Sequence, residues 1–332
     1  MKRLTLILGI LLFATAGGFS QQEGKEYKVR KSIPVTGNGS WDNLVFDNLT
    51  QRIFVTHENC VQVIDLKTGK EVGIINHTPG AHAISLSREL GKGFISAGNI
   101  DSVIVFDLTT LRIKARIPTG KNPGPLLFDQ FSQRVFAFNA IGHSVTVIDA
   151  DSNKVIKTIP VHGVPSAAVA DNSGSIYIGL ENLGMVEQLD AVSFKIKGMF
   201  PLGPDKHPSA MALDKGNDNV LIGCTGSNEL VVLNITSSQV VATVPIGMHC
   251  DGVCFMPASR DVFTSNGEGS ITVIHQEAPF NFSKQQTLIT KRGAHTITCD
   301  YASQTLYLPT AKYDDVKKEY ERNSFQLMVV SK

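Results

Sequence analysis

The chain has 332 residues, of which 31 are basic and 30 acidic, and 42% are hydrophobic. Lys2 and Arg3 belong to a predicted signal peptide, so the mature chain has 29 basic and 30 acidic residues and a net charge of −1 with histidine neutral. This balance excludes a strongly basic surface, and no nucleic-acid partner is indicated. Five cysteines are too few for a disulfide scaffold, and most are expected to be small buried residues.

The first twenty residues have the pattern of a signal peptide. Lys2 and Arg3 precede an apolar run from Leu4 to Phe13, and small residues follow it. The run is shorter than the roughly 20 apolar residues of a membrane anchor, and no later segment resembles a membrane span. We therefore expect cleavage before Gln21 and export to the periplasm or the medium. Residues 21–332 are expected to form a single domain.

One strand pattern recurs along nearly the whole chain. Each copy is closed by an apolar strand whose last residues are, in order, Asp65, Asp107, Asp149, Asp190, Asn234, His275 and Ser331. The steps between these residues are 42, 42, 41, 44, 41 and 56. Each copy contains short β-branched runs separated by turn residues. Four strands per unit of this length are typical of a propeller blade, so the sequence predicts an all-β fold, a seven-bladed β-propeller with four-stranded blades.

The two ends of the chain predict how the ring closes. The seventh copy lacks a fourth strand, and the segment from Tyr27 to Ile33 supplies a candidate for it. Pairing the N-terminal strand into the last blade would hide two strand edges that otherwise invite aggregation. We therefore expect a closed ring and a monomeric protein.

Three blades carry a family motif. The segments are Phe136–Asn139 with Val145–Asp149, Phe54–His57 with Val61–Asp65, and Phe263–Asn266 with Ile271–Ile274. They resemble the YVTN repeat, in which Tyr-Val-Thr-Asn, a short turn and an apolar strand ending Val-Ile-Asp follow one another. The resemblance covers residues 27–332 and implies a propeller; members include surface-layer proteins, exported binding proteins and relatives of the haem-binding domain of nitrite reductases. The other blades carry a different residue in place of the Asn: Ala97, Leu180, Cys224 and Thr310.

The loops that enter the first strands predict a site at the mouth of the channel. In a propeller these loops and the loops between second and third strands open on one face, where several elements converge. Aligned on the first apolar residue of each strand, the seven loops give Asp42, His82, Gly124, Pro165, Pro208, Asp251 and His295. Blades three to five thus carry Gly or Pro, whereas the four neighbouring blades six, seven, one and two carry two carboxylates and two imidazoles.

This cluster is compatible with two kinds of chemistry. Carboxylate and imidazole groups suit a divalent metal ion, so Asp42, His82, Asp251 and His295 are candidate metal ligands. Without a metal the same groups suit general acid–base chemistry. The simpler alternative is that each side chain only stabilises its own turn.

Further candidates flank the cluster. His57 and Glu58 lie in the second loop of blade one, and Asn266 lies in the matching loop of blade six. Trp41 is the only tryptophan and is predicted either to be a stacking platform for a ligand or to pack against the next blade. Blade seven contains an insertion, Ala311–Ser324, that is either a solvated charged loop or a lid over the mouth.

The sequence favours a binding function over catalysis. It contains no Gly-rich phosphate loop, nucleophile elbow or metalloprotease helix. We expect an exported propeller that binds a protein, a glycan or a small molecule at the channel mouth. The alternative is a metal-dependent hydrolase or lactonase that uses the Asp/His cluster, with a haem or copper redox role as a weaker third.

Overall fold

The computed structural model describes residues 26–332, and the predicted signal peptide lies outside this range. The described chain begins with strand β1, Lys28–Pro34, and contains two 3-10 helices, Gly98–Ile100 and Glu181–Leu183. Within residues 26–332, no helix is long and apolar enough to cross a membrane.

Seven antiparallel sheets of four strands follow one another around a ring. Blades one to three are β2–β5 (Trp41–Asp47, Arg52–His57, Cys60–Asp65, Lys70–Asn76), β6–β9 (Ala81–Ser87, Lys92–Ala97, Ser102–Asp107, Ile113–Pro118) and β10–β13 (Pro123–Asp129, Arg134–Asn139, Ser144–Asp149, Lys154–Pro160). Blades four to six are β14–β17 (Pro165–Ala170, Ser175–Leu180, Met185–Asp190, Ile196–Pro201), β18–β21 (Pro208–Asp214, Asn219–Cys224, Glu229–Asn234, Gln239–Pro245) and β22–β25 (Cys250–Met256, Asp261–Asn266, Ser270–Ala278, Asn281–Ile289). The predicted seven-bladed, four-stranded propeller is confirmed.

The seventh blade is built from both ends of the chain. It contains β26 (Thr298–Asp300), β27 (Thr305–Thr310) and, after a small hairpin of β28 (Tyr313–Asp314) and β29 (Glu319–Tyr320), β30 (Gln326–Ser331). The fourth strand is β1, which pairs antiparallel with β30 and places Ile33 opposite Leu327. Tyr27 extends this anchor to blade six, where its hydroxyl donates a hydrogen bond to Asp261 (3.0 Å).

The hydrophobic core lies between the blades. Each of the seven blade interfaces contains its own cluster of buried side chains, because the second and third strands of every blade are buried on both faces. Between blades one and two, for example, the ring of Phe54 packs against Phe106 at 5.8 Å. The fourth strands are mostly exposed or half-buried, because they form the outer rim, and β5 and β9 alternate between the two.

Hydroxyl groups join neighbouring blades next to the channel. Each donates a hydrogen bond to a carbonyl group of the following blade, in the pairs Thr56–His82, Ser96–Gly124, Ser166–Pro208, Ser209–Cys250, Ser265–His295 and Thr296–Asp42, at 2.5–2.9 Å. Six of the seven interfaces have such a bond, and the interface between blades three and four lacks it. These bonds satisfy carbonyl groups that the channel wall would otherwise leave without a partner.

In four blades the third strand ends in an Asp that caps the following turn. The Asp149 side chain accepts hydrogen bonds from the backbone and the hydroxyl of Ser152 (2.7 and 2.6 Å). Asp65, Asp107 and Asp190 make equivalent bonds. These bonds lower the pKa of Asp65, Asp107 and Asp149, since they favour the ionised form, and at Asp190 the hydrogen bond from Lys197 lowers the pKa most, with the turn bond adding to it. The periodic Asp of the sequence is therefore a structural residue.

Two cysteines form a bond that the sequence did not predict. Cys254 of β22 and Cys299 of β26 are joined in a disulfide, with their Cα atoms 6.6 Å apart, and this links blades six and seven. The other three behave as expected for small buried or half-buried residues: Cys60, Cys224 and Cys250 are free.

We expect the closing strand to be essential for stability. Ile33 is 4% exposed and packs into the cluster between blades seven and one, so Ile33→Ala should lower the free energy of unfolding by about 2–5 kcal/mol. Val29 of the same strand is 39% exposed, and Val29→Ala should change it by less than about 1 kcal/mol. Urea unfolding of the two variants measures both values. Equal effects would contradict closure through β1.

We also expect the capping carboxylates to make stability fall in acid. The pKa of Asp149 in the folded state lies below its ordinary value of 3.8. Its contribution is therefore present above about pH 4 and is lost as the pH falls through the folded-state pKa. Asp149→Ala should lower the free energy of unfolding by about 1 kcal/mol at pH 7, with a smaller difference at pH 3. Asp151→Ala, at the neighbouring exposed position, is the control. Chemical unfolding at the two pH values would refute the assignment if the difference did not shrink.

Candidate functional site

A β-bulge in the first strand of blades one to six aims one side chain at the channel. In blade one, Trp41 pairs with His57 and Leu44 with Val55, so Asp42 and Asn43 have no partner residue on β3. The same register shift occurs in blades two to six. Because a bulge turns the extra residue away from the regular ladder, the residue after the first paired position can face the channel.

The pairing register corrects the predicted column at two blades. Pro165 and Pro208 pair with the second strands, as Trp41 does, and the residues equivalent to Asp42 are therefore Ser166 and Ser209. The structural column is Asp42, His82, Gly124, Ser166, Ser209, Asp251 and His295. In this column too, blades three to five carry uncharged residues and the other four blades carry ionisable ones, as the sequence indicated.

The four ionisable residues form two Asp–His pairs. His82 Nε2 lies 3.3 Å from Asp42 Oδ2, which joins blades two and one. His295 Nδ1 lies 3.1 Å from Asp251 Oδ2, which joins blades seven and six. Asp42, His82 and Asp251 line a channel cavity of about 230 Å³. His82, Asp251 and His295 also line the wider mouth above it, a cavity of about 670 Å³.

The two pairs influence each other electrostatically. Burial raises the pKa of Asp42, His82 opposes this increase, and the charge of Asp251 adds to it. Asp42 still has 31% of its side-chain surface exposed, because it faces the channel. For His295, burial alone lowers the pKa, but the hydrogen bond and charge of Asp251, together with Asp42, outweigh it and raise the pKa above 6.5. The site thus contains a carboxyl group, Asp42, and an imidazole, His295, whose pKa values are both raised.

The predicted metal site does not take the form of one ligand set. Within residues 26–332, no group of three or more His, Cys, Asp or Glu side chains is arranged to hold a metal ion. The reason is the pairing, since each of the two imidazoles contacts a carboxylate of a neighbouring blade. The four candidate ligands are brought together as the column predicted, but as two separate pairs.

Of the two roles predicted for Trp41, a stacking platform for a ligand or a packing residue, the structure favours packing. It is only 6% exposed, and its indole Nε1 donates a hydrogen bond to the carbonyl of Gly293 (3.0 Å). Its ring packs against Tyr320 at 4.8 Å and Phe325 at 5.3 Å. Gly293 has a φ of +80°, and a Cβ atom there would collide with the Tyr320 hydroxyl, so glycine is required at this close approach.

His57 and Asn266 are also structural rather than exposed to a ligand. His57 is 3% exposed, its Nδ1 bonds to Gln62 Oε1 (2.9 Å), and its ring packs on Phe325. Asn266 is fully buried and donates to the hydroxyls of Ser270 and Thr272. Asn139 of blade three makes the matching bonds to Ser144 and Thr146. In these two blades, therefore, the Asn of the repeat motif ties together the second and third strands.

Glu58 is the flanking candidate that faces solvent. It is exposed and, with Ser40, Asp42 and His82, lines a groove of about 430 Å³ between blades one and two. The backbone N–H of Glu58 donates to the carbonyl of Ser40 (3.1 Å), so the two loops lie side by side on the same face. The other blades repeat this loop-to-loop bond, for example Gly267 to His249.

The insertion of blade seven forms one wall of the mouth. In its hairpin, β28–β29, Tyr313 packs edge-to-face against Tyr320 at 5.1 Å, and Tyr320 lines the same cavity as His295. The backbone N–H of Asn323 donates to Asn38 Oδ1 (2.6 Å) and ties the hairpin to the segment before blade one. Sequence reasoning placed this insertion over the mouth but did not single out Tyr320. It also missed Glu181 and Asn122, which line the mouth from loops without a distinctive motif.

Solved structures show the same architecture in distant proteins. A structure of U3-55K covers 90% of this chain and 97% of its own at 10% identity, with a TM-score of 0.77. The WD40 repeats of RRP9 cover 92% and 100% at 10% identity, with a TM-score of 0.79. A chain of a mitotic checkpoint complex covers 99% of both at 13% identity, with a TM-score of 0.77. These matches define a WD40-like seven-bladed propeller. No protein-family model and no curated protein matches the chain.

We expect Asp251 to control the protonation of His295. In Asp251→Asn the hydrogen bond to a charged partner is lost, so burial should dominate and the pKa of His295 should fall below 6.5. In the wild type, the raised pKa means that the pair stabilises the fold fully below about pH 6.5 and loses this effect as the pH rises through the folded-state pKa. NMR titration of the His295 ring measures the shift. Glu89→Gln, an exposed change in a turn after a first strand, is the control, and an unchanged His295 pKa in Asp251→Asn would contradict the pair.

Proposed function

We propose that the protein is an exported β-propeller of the YVTN-repeat family that binds a ligand at the mouth of its channel. The observation that carries the proposal is the mouth cavity of about 670 Å³, which brings together His82, Asp251, His295 and Tyr320. A cavity of this size accommodates a small molecule, or a short part of a peptide or glycan.

The repeat supplies an internal control for this proposal. Gly124, Ser166 and Ser209 occupy the equivalent positions of three blades, so the scaffold forms without charged groups there. Placing Asp42 and Asp251 near each other in a partly buried channel costs free energy, as the raised pKa of Asp42 indicates. Ionisable groups that the fold does not need, held in a cavity, are typical of a functional site.

Two further observations support export. The apolar run after Lys2 and Arg3 is of signal-peptide length, and the Cys254–Cys299 disulfide is a bond that persists in oxidising compartments outside the cytosol.

Ring closure supports a monomeric state. The pairing of β1 with β30 in one sheet removes two strand edges that could pair with another molecule.

A binding role also agrees with the comparisons. One structural neighbour is a chain of a mitotic checkpoint complex, a protein found in an assembly. We propose that this chain likewise acts by binding, with a protein, a glycan or a small molecule as its partner. The hydrolase alternative needs a set of metal ligands, and the arrangement of the described side chains does not favour one.

A variant that plugs the mouth tests the proposal. A Cβ atom on Gly124 would lie in ordinary contact with the His82 ring at 3.7–3.9 Å, so Gly124→Trp should fill the cavity without strain in the backbone. The matched control is Ala170→Trp, which fills the opposite opening of about 460 Å³. Thermal shift against amino acids, peptides, polyamines, sugars, organic acids and nucleosides should find a saturable ligand that Gly124→Trp loses and Ala170→Trp keeps. Ligands that stabilise both variants equally would overturn the proposal.

A further inference from the structure

We propose that the mouth selects a positively charged group, the ammonium or guanidinium of a small amine or of a basic side chain. This inference rests on the proposed function and adds the class of ligand to it. It is carried by the charges of the walls, by the partners of the nearby lysines and by the aromatic ring at the rim.

The walls of the mouth offer carboxylates that have no lysine or arginine partner in the lining. The three cavities on this face are lined by Asp42, Glu58, Glu181 and Asp251, and by no lysine or arginine. The three histidines that line them are His82, His249 and His295, and two of these contact a carboxylate. The lining is therefore acidic when the histidines are neutral, and it stays acidic when the two paired histidines are charged, because the four carboxylates outnumber them.

Three lysines of the surrounding loops are already paired with other carboxylates. Lys121 bonds to Asp101 at 2.6 Å, and Lys312 to Glu321 at 3.3 Å. Lys206, which is only 12% exposed, contacts both Glu229 and Ser227. None of the three lies in the lining of the mouth, so they do not neutralise Asp42 and Asp251.

A cation would relieve the electrostatic cost at the centre of the site. Burial and, less strongly, the charge of Asp251 disfavour the ionised form of Asp42, and both carboxylates line the same channel cavity. A ligand cation between them would favour both ionised forms and form charge-assisted hydrogen bonds, which are among the stronger contacts in proteins. A guanidinium group could contact two carboxylate oxygens at once through its planar array of donors.

The aromatic wall suits the same ligand. Tyr320 is 37% exposed and lines the cavity, and Trp41 and Tyr313 hold its ring in place from the protein side. The neighbouring ring of the same hairpin already binds a cation, because the Arg292 guanidinium lies 4.4 Å from the centre of Tyr313. The exposed part of the Tyr320 ring is therefore the surface that would contact the planar or alkyl part of a cationic ligand.

An anionic ligand has weaker support. The imidazoles of His82 and His295 each face a carboxylate, so protonation of either ring mostly compensates its own partner. An anion would then meet Asp42, Asp251 and Glu181 with no lysine or arginine in the lining to offset their repulsion.

Calorimetric titration with agmatine tests the inference. Agmatine carries a guanidinium and an ammonium group; butyramide and butyrate are the neutral and anionic probes, and the blocked tripeptide acetyl-Gly-Arg-Gly-amide presents the same guanidinium on a peptide. We expect agmatine, the tripeptide or both to bind the purified mature protein at pH 7.5 in low salt, with affinity falling as the ionic strength rises. Which of the two binds better distinguishes a free amine from a basic peptide as the source.

Variants test the residues that carry the inference. Asp251→Asn and Asp42→Asn should each weaken binding of the cationic probe by about tenfold or more. Tyr320→Ala should weaken it about two- to fivefold, and Tyr320→Phe should retain it because the ring remains. Glu89→Gln changes an exposed carboxylate far from the mouth and should have no effect. Circular dichroism and thermal melts show whether each variant is folded.

Several results would overturn the inference. These are no binding of either cationic probe at millimolar concentration, stronger binding of butyrate or butyramide, or cation binding that neither aspartate variant weakens. A different result would contradict the proposed function itself: every ligand of the compound panel would stabilise Gly124→Trp as much as it stabilises the wild type. If a neutral or anionic ligand binds the wild type and not Gly124→Trp, the proposed binding function is supported and only the inference of a cationic ligand is contradicted.

Discussion

The pairing of β1 with β30 is the constraint on which the rest of the molecule depends. It joins the two ends of the chain in one blade and thereby sets blade seven beside blade one. Only this closure brings His295 close enough to influence Asp42, which precedes it by 253 positions, and lets the Thr296 hydroxyl bond to the Asp42 carbonyl. The packing of Trp41 against Tyr320 crosses the same junction. The candidate site is therefore a product of ring closure.

The β-bulge of the first strand has a structural role in some blades and positions candidate site residues in others. The bulge of the first strand exposes one position to the channel in blades one to six. In blades four and five, Ser166 and Ser209 use that position to bond the next blade. In blades one and six an aspartate stands there instead, and the bond between blades comes from Thr56 or Ser265 on the second strand. Moving the structural hydroxyl to another strand frees the channel position for an ionisable group.

Sequence patterns predicted the number and strand order of the blades correctly, but they predicted the roles of several individual side chains less well. The period, the order of strands and the column of Asp42, His82, Asp251 and His295 all follow from local patterns, because each blade is stabilised by its own short strands and turns. The alignment was wrong in blades four and five, where the first strand begins Pro-Ser-Ala and this alanine stands one position before the equivalent of Leu44. His57 and Trp41 looked like ligand contacts, yet Phe325, more than 250 positions away, packs against both.

The sequence by itself determined the architecture: seven units, four strands in each, a closing strand at the N-terminus and four ionisable residues on adjacent blades. These features are periodic, and a period can be counted without knowing any contact between distant residues. Only the tertiary structure decided how those residues combine. It joined them into two Asp–His pairs, placed Tyr320 beside them and buried Asn266, because the register of each bulge and the contacts across the blade junctions depend on atoms that are far apart in the chain.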